Sequence, residues 1–277
     1  VRKTDGEIVV KTEEYKGIVQ NKKIRSLPII RGVFSFIDSM VLGMSTLTYS
    51  ASFFMDEEEE EKDEKKESVM MGLTIACSVV MAVAIFMILP YFLSQLFRKF
   101  TDSTTLITLL EGAVRLVIFF GYILLISRMK DIQRVFMYHG AEHKCINCIE
   151  HGMELNVENV LKSSRLHKRC GTSFLFIVMI VSIIFFLFIR IESPIWRVVF
   201  RLLLIPVIAG VSFEFIRLAG KSENKLVIFL SKPGMMLQKL TTREPDASMA
   251  EVAIASVEAV FDWRAYLKEN FGWQEKV

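Results

Sequence analysis

The chain has 277 residues, is 52% hydrophobic and contains 22 phenylalanines, with a mean hydropathy of +0.39. A chain this apolar is not an ordinary soluble domain. Its formal charge of +3 is nearly balanced, so the composition gives no indication of a nucleic-acid partner. Its four cysteines are irregularly spaced, which does not match the framework of a small disulfide-rich secreted protein.

The first segment, residues 1–26, is polar and basic. The dipeptide Asp5-Gly6 favours a tight turn between two short extended stretches, so we expect a small β-hairpin here. The density of lysine and arginine predicts that this hairpin region is cytoplasmic. The start of the sequence at Val1 suggests that the natural N-terminus lies further upstream.

The next two segments differ sharply in polarity. Residues 27–55 are apolar but include Arg31 and Asp38, which predicts an interfacial or re-entrant helical segment rather than a complete membrane span. The alternative is that this segment spans, which would place the basic N-terminal region and the basic loop over 128–170 on opposite faces of the membrane. Residues 56–67 (DEEEEEKDEKKE) are almost all charged and predict a solvated acidic loop.

Four long apolar stretches predict a four-helix transmembrane domain over residues 68–218, because each can cross the hydrocarbon core of a bilayer. They cover residues 68–97, 106–127, 171–189 and 195–218. The loop over 128–170 is rich in lysine and arginine, so we expect it in the cytoplasm.

The last segment, residues 219–277, predicts a cytoplasmic C-terminal region with an amphipathic helix that starts near Pro245 and Asp246. The predicted fold class is therefore an all-α polytopic membrane protein, with about four transmembrane helices and both termini in the cytoplasm. The lipid bilayer is its expected environment, and other membrane proteins are candidate partners.

Seven of the eight histidines and cysteines lie between His139 and Cys170, which marks this stretch as a candidate metal site. His139, Glu142 and His143 form an H-x-x-E-H arrangement, in which residues three and four apart share one helical face. Both imidazoles could then meet one divalent cation, with Glu142 as a general base beside it. The expected metal is zinc or another divalent ion.

Such a site needs further ligands, and three residues are candidates. Glu150 lies seven residues after His143 on the same stripe, and His167 follows in the same loop. Glu214 lies in the last two turns of the final span, where an ionisable side chain is expensive and indicates a functional role. A salt bridge to Arg217 or Arg201 is the structural alternative for Glu214.

A second metal arrangement uses Cys145 and Cys148 together with His167 and Cys170. Three thiolates and one imidazole would form a closed, tetrahedral, structural zinc site with no open coordination position. A third interpretation is a basic interfacial loop without metal. For Glu111 and Arg115, spaced i, i+4 within a span, mutual neutralisation is the simplest interpretation.

The stretches "MYHGAEHKCINCIEHGMELNVENV", "LHKRCGTSFLFIVM", "PVIAGVSFEFIRLAG" and "LTTREPDASMAEVAIA" resemble the YqhQ group of bacterial membrane proteins, a family labelled as predicted metal-dependent enzymes. The resemblance covers nearly the whole chain. It implies a bacterial plasma-membrane location and adds structural or secondary positions to the site. The matching site positions are His139, Gly140, Glu142, His143, Lys144, Asn147, Glu150, His167, Arg169, Cys170, Gly171, Thr172, Glu214 and Arg217.

Two departures from the family pattern bear on the hypotheses. Cys145 stands where the family usually has threonine, which weakens the three-cysteine zinc site. The glycine-rich segment that usually precedes the hairpin is absent from this sequence. The sequence thus predicts a membrane protein with a divalent-metal site at the cytoplasmic surface and metal-dependent hydrolysis of a peptide or lipid. The alternative from another class is a non-enzymatic membrane scaffold or assembly factor with a structural His/Glu cluster.

Overall fold

A computed structural model describes residues 1–53, 64–189, 191, 193–221 and 224–274. Over these ranges the regular structure is helical, which confirms the all-α fold class. Twelve α-helices are formed there. They are α1 (Lys22–Ser26), α2 (Ile30–Ser52), α3 (Glu64–Val83), α4 (Leu89–Gln95), α5 (Thr104–Ile126), α6 (Lys130–Glu150), α7 (Val157–Lys162), α8 (Gly171–Phe188), α9 (Pro194–Lys221), α10 (Lys225–Thr241), α11 (Ala247–Glu258) and α12 (Trp263–Phe271).

The predicted N-terminal β-hairpin is wrong. A turn does form, with Gly6 at φ 92°, but the flanking residues pair only through one isolated bridge between Arg2 and Ile8. An isolated two-stranded hairpin is marginally stable because it has no packed face of its own. The Arg2 guanidinium instead donates to the carbonyl of Ser248 at 3.2 Å and to the carboxylate of Glu251 at 2.5 Å, which anchors the N-terminus on α11.

Five helical stretches in the described ranges are long and apolar enough to cross a membrane, where the sequence predicted four. They cover Ile30–Ser52, Val69–Lys99, Thr104–Ile126, Gly171–Phe188 and Ile195–Gly220. Their number and length make the chain a multi-pass membrane protein. The predicted acidic loop lies outside the described residues over 56–63, and α3 begins at Glu64.

The additional stretch is α2, a single 23-residue helix. Its two charges counted against a complete membrane span in the sequence, and both are paired. Arg31 binds the Glu214 carboxylate, with Nε 2.6 Å from Oε1 and Nη2 2.5 Å from Oε2. Asp38 is buried and accepts from Arg25 at 2.5 Å. Paired charges cost far less to bury than isolated ones, so the helix continues through both positions.

The chain divides into two compact units, and the larger part of the apolar helices belongs to the unit formed by Asn21–Tyr122 and Val178–Glu214. Within it, Glu111 is buried and accepts from Arg115 at 2.8 Å and from Arg201 at 2.5 and 2.9 Å. Arg115 also donates to the carbonyl of Phe86 at 2.9 Å, in a π-helical turn between α3 and α4. The mutual neutralisation expected of Glu111 and Arg115 is therefore present, with Arg201 as an additional partner.

The other unit comprises Val1–Gln20, Ile123–Ile177 and Phe215–Val277. Its core is a cluster in which α6 packs against α7, α11 and α12. The buried members are Cys145, Cys148, Ile149, Leu155, Val160, Ala250, Trp263 and Leu267. Helix α11 begins as predicted, because the Asp246 side chain caps it by accepting from Met249 N at 2.9 Å.

Candidate metal centre

Helix α6 carries the H-x-x-E-H residues, and its opposite side supplies the apolar core. It runs without a break to Glu150, and Gly152, at φ 75°, follows its C-cap as expected for a left-handed helix end. Gly140 lies between the two histidines, and a Cβ there would overlap the carbonyl oxygen of Arg243. Only glycine lets the segment after α10 approach α6 this closely, and Arg243 N donates to the carbonyl of Phe136 at 2.9 Å.

Both α6 histidines are oriented by backbone carbonyls. His139 Nδ1 lies 2.9 Å from the carbonyl oxygen of Thr241, and His143 Nδ1 lies 2.7 Å from that of Arg165. A carbonyl oxygen only accepts, so Nδ1 carries the hydrogen in each ring. Each Nε2 is then the atom available to a ligand. This arrangement, with Nδ1–H donated to a carbonyl, is the one that orients histidines at metal sites.

Cys170 completes a group of three metal-ligating side chains. Its Sγ lies 3.3 Å from His139 Nε2, and one ligand atom from each of His139, His143 and Cys170 lies within 4.8 Å of the others. His143 and Cys170 are buried. Cys170 directly precedes α8, and its sulfur accepts from Thr172 N at 3.4 Å, as a thiolate does at a helix N-terminus.

The electrostatics of the group favour a thiolate. Burial raises the pKa of the Cys170 thiol, but hydrogen bonds and positive charge from His139 and His143 outweigh it and lower the pKa to about 5. For His139, burial lowers the imidazole pKa, while the hydrogen bond and charge of Cys170 raise it to a net increase. These shifts favour an imidazolium–thiolate pair between His139 and Cys170, whose shared proton a metal ion would replace.

A cavity of about 360 Å³ opens beside the three ligand atoms. Glu142 lines it and is exposed, so its carboxylate reaches solvent next to the histidines. Its lining residues are His139, Glu142, His143, Ile146, His167, Arg169, Cys170 and Gly171. The predicted base thus shares one open space with three of the predicted ligands, His139, His143 and His167.

His167 and Glu150, which the sequence offered as further ligands, are bonded to each other. Arg169 N donates to His167 Nδ1 at 3.3 Å, so the hydrogen of this ring is on Nε2, which donates to Glu150 Oε2 at 3.1 Å. Arg169 also forms an ion pair with Glu150. Glu214 is bound by Arg31, which lies 183 positions away and could not be identified as its partner from the sequence. Arg217 is exposed on α9. As metal ligands, Glu150, His167 and Glu214 stay predictions.

Lys144 and Asn147 attach the 161–166 segment to α6. Lys144 is buried, and its Nζ donates to the carbonyls of Leu161 and Ser163 at 2.8 and 2.7 Å. Asn147 Nδ2 donates to the carbonyls of Ser164 and Leu166 at 2.7 and 3.0 Å. These four bonds fix the backbone that contains the Arg165 carbonyl, and the same backbone leads to Cys170.

Cys145 and Cys148 are not part of this group. Both are fully buried in the apolar core, where burial raises the pKa of Cys145 to about 12 and that of Cys148 to about 11. Thiols in this environment stay protonated and pack as small apolar side chains. The structure therefore joins Cys170 to the histidine pair. The three-cysteine arrangement does not form.

Comparisons with known proteins match the chain along most of its length. Residues 27–263 match a family described as a protein of unknown function, DUF1385. The chain is also 34% identical to the uncharacterized protein YqhQ of Bacillus subtilis (strain 168) over 281 aligned residues, which cover 98% of this chain and 88% of that protein. No solved structure matches it. These matches confirm the resemblance seen in the sequence, and the chain belongs to the DUF1385 family, in the YqhQ group.

Proposed function

We propose that this protein is a metal-dependent membrane enzyme whose His139, His143 and Cys170 hold a divalent cation. The observation that carries the proposal is the orientation of the ligands. Two imidazoles have Nδ1 committed to backbone carbonyls, and one ligand atom from each ring lies within 4.8 Å of the other and of the low-pKa thiolate. A set of two nitrogens and one sulfur suits Zn²⁺, which binds imidazole and thiolate in tetrahedral sites.

The open side of the group supports a catalytic role over a structural one. Structural zinc sites are closed by four protein ligands, whereas catalytic sites have three and keep one position open. Here three side chains converge beside the 360 Å³ cavity. A divalent cation in this position would supply Lewis acidity for hydrolysis of an ester, peptide or phosphoester bond. Glu142 lines the same cavity, and its carboxylate is the group that would accept a proton from the attacking water.

The direct test is metal content. The purified full chain should contain about one zinc per molecule by mass spectrometry of the metal, and the His139→Ala/His143→Ala variant should lose it. His151→Ala is the matched control, because His151 is an exposed histidine that follows the same helix. Full zinc occupancy in the double variant would show that His139 and His143 do not hold the metal.

The scaffold alternative is favoured by the ionic network beside the group. Direct bonds among the side chains of Arg169, Glu150 and His167 hold the end of the loop on α6. A structural cluster of this kind predicts a folded protein that purifies free of metal and with a stoichiometric membrane partner. Metal content and partner content, measured on the same preparation, therefore separate the two functions.

Counting membrane crossings supports a proposal for the side of the membrane on which the site lies. Arg2 and Glu251 form an ion pair, so the first residues and α11 share one aqueous compartment. Five candidate spans separate them along the chain. Five complete crossings would place these residues on opposite sides, so an even number of the candidates crosses. The Arg169 side chain packs on Gly220, so the residues just before α8 and those at the end of α9 also lie on one side of the membrane. Helices α8 and α9 therefore cross as a pair.

Helix α2 is the candidate that does not cross. It is the least apolar of the five, and it carries Arg31 and Asp38. The remaining four spans return the N-terminus, the 128–170 loop and the C-terminus to one side. Since these segments are rich in lysine and arginine, that side is the cytoplasm. The metal centre thus faces the cytoplasm of a bacterial plasma membrane, and α2 lies in or re-enters the bilayer from that side.

A further inference from the structure

A second cavity, of about 500 Å³, lies within the same compact unit as the metal centre. We refer to it as the basic pocket. Its lining residues are Ser127, Met137, Arg165, Lys239, Leu240, Arg243 and Glu244. Arg165 and Arg243 supply rigid guanidinium groups, and Lys239 supplies a mobile ammonium group on an exposed position of α10.

The charges around the basic pocket do not cancel. Glu244 contributes its one carboxylate, which lies 2.9 Å from Lys144 Nζ and 3.4 Å from Arg165 Nε. Lys144, which does not line the pocket, therefore already neutralises Glu244. Three cationic side chains line the space against one carboxylate that a fourth cation compensates, so the pocket has a net positive potential.

The two guanidinium groups are held in place by single bonds to the backbone. Arg165 Nη1 donates to the carbonyl of Thr242 at 2.8 Å, and Arg243 Nη2 donates to the carbonyl of Ser127 at 3.0 Å. Each guanidinium has five N–H donors, so these contacts orient the group and leave further donors for a ligand. Pre-oriented forks of this kind match the oxygens of a phosphate group.

The position of the basic pocket relative to the membrane also suits a phosphate ligand. Ser127 directly follows the candidate span Thr104–Ile126, so this wall of the pocket is at the end of a membrane helix, where lipid headgroups lie. Basic pockets at the cytoplasmic ends of membrane helices bind anionic headgroups. We infer that the basic pocket binds a phosphate group, as carried by an anionic phospholipid headgroup or by inorganic phosphate.

The basic pocket and the metal centre share their backbone supports. The Arg165 carbonyl orients His143 while the Arg165 side chain lines the basic pocket. Thr241 orients His139, and Arg243 lines the pocket two residues later. A phosphate bound by these arginines therefore lies against the same segments that position the metal ligands. Binding in the pocket itself requires no metal.

The experiment measures binding of three soluble probes to the purified full chain in maltoside detergent by isothermal titration calorimetry. The probes are dihexanoyl phosphatidylglycerol, dihexanoyl phosphatidylcholine and inorganic phosphate. We expect phosphatidylglycerol to bind at least tenfold more tightly than phosphatidylcholine if the source is an anionic lipid. Preferential binding of inorganic phosphate would identify the free ion as the ligand. Absence of binding by both phosphatidylglycerol and inorganic phosphate would overturn the inference.

Variants then assign the binding to the basic pocket. Lys239→Gln should weaken binding of the anionic probe about tenfold, the effect of losing one charge-assisted hydrogen bond. Lys232→Gln is the matched control, because Lys232 is an exposed lysine on the same helix outside the pocket. Equal affinity in the two variants would contradict the assignment.

A separate control tests whether the phosphate binds at the metal centre. The His139→Ala/His143→Ala variant, stripped of metal, should bind the anionic probe as the unaltered chain does. Loss of binding in this variant, with full binding in Lys239→Gln, would place the phosphate on the metal instead and would refute the basic pocket. Loss of metal alone, with phosphate binding intact, leaves the inference standing and addresses only the proposed function.

Discussion

His143 and Arg165 are joined by a 2.7 Å hydrogen bond from an imidazole Nδ1–H to a backbone carbonyl. The bond links the α6 helix to the segment that leads to Cys170, so one contact sets both the ring orientation and the path of the next ligand. The segment is held by Lys144 and Asn147 rather than by regular secondary structure. The geometry of the candidate metal centre therefore depends on residues that touch no ligand atom, and the first prediction addresses them.

Replacing Lys144 with methionine should destabilise the protein and weaken metal binding. The change leaves the carbonyls of Leu161 and Ser163 without this donor and removes one of the two cations that pair with Glu244, a loss of about 2–4 kcal/mol in the free energy of unfolding. Supporting residues of this kind typically change metal affinity about 10–100-fold. Thermal denaturation and zinc titration measure the two effects. Lys162→Met is the control, since Lys162 is exposed and forms a surface ion pair with Glu158, and it should change stability by less than about 0.5 kcal/mol.

Replacing Gly140 with alanine should disrupt the contact between α6 and the segment after α10. The new Cβ would overlap the Arg243 carbonyl oxygen, and backbone cannot move aside as a side chain does. Overpacking of this kind costs about 1–3 kcal/mol. Gly121→Ala, near the C-terminal end of α5, meets no atom within 4 Å and should be neutral. A melting temperature for Gly140→Ala equal to that of Gly121→Ala would show that the close approach is not maintained.

The Cys170 thiol should be reactive at unusually low pH in the metal-free protein. Its pKa of about 5 means that the thiolate is already the main form above pH 5, whereas an ordinary thiol needs pH 8 or more. Iodoacetamide labelling at pH 6, located by peptide mass spectrometry, should therefore modify Cys170 before Cys145 and Cys148, which stay protonated. Bound zinc should protect it.

The same labelling tests the origin of the low pKa. His139→Ala removes a hydrogen bond and a positive charge that lower the pKa, so burial dominates and the pKa rises. The rate at pH 6 should then fall by about tenfold or more. An unchanged rate in His139→Ala would mean that the imidazolium–thiolate pair is not formed.

Replacing Glu142 with glutamine should separate catalysis from metal binding. The residue lines the cavity but is not one of the three converging ligands, so zinc content should be unchanged. Loss of a general base lowers turnover by about 10²–10⁴-fold. Hydrolysis of p-nitrophenyl acetate and bis(p-nitrophenyl) phosphate by the zinc-loaded full chain measures this. A parallel loss of zinc would indicate that Glu142 is a ligand.

Both termini should be protected from an impermeant maleimide in intact cells. Glu13→Cys and Lys268→Cys place exposed thiols near the two ends, and Asp102→Cys places one between two candidate spans. With α2 not crossing, the first two label only after lysis and the third labels in intact cells. Labelling of Glu13→Cys in intact cells, with Lys268→Cys still protected, would mean that α2 crosses the membrane.

The sequence predicted the local parts of the site and missed the distant ones. Helical spacing was enough to place His139, Glu142 and His143 on one side of α6, because i, i+3 and i+4 positions always share a face. The partnership of Cys170 with the histidines was not predictable, since it depends on side-chain bonds to carbonyls at 161–166, which have no sequence signature. The concentration of cysteine and histidine between His139 and Cys170, and the family resemblance at Cys170, were the signals that pointed to it.

Long-range pairing explains the other differences. The sequence could not show that Arg31 and Asp38 are paired within one continuous helix, because their partners, Glu214 and Arg25, cannot be recognised from the sequence. The N-terminal hairpin was predicted from its turn, but a turn does not supply a packed face. In both cases the deciding contact involves residues whose proximity only the fold creates.

The bond between His139 and Thr241 has a consequence for biosynthesis. The two residues are 102 positions apart, and α8, α9 and α10 lie between them. The ribosome delivers His139, His143 and Cys170 long before the carbonyl that orients the first of them. The site therefore reaches its final geometry only after the last membrane helices have been synthesised and inserted. A correctly formed site therefore indicates that the chain has been translated at least as far as Thr241 and that helices α8 and α9 are in place.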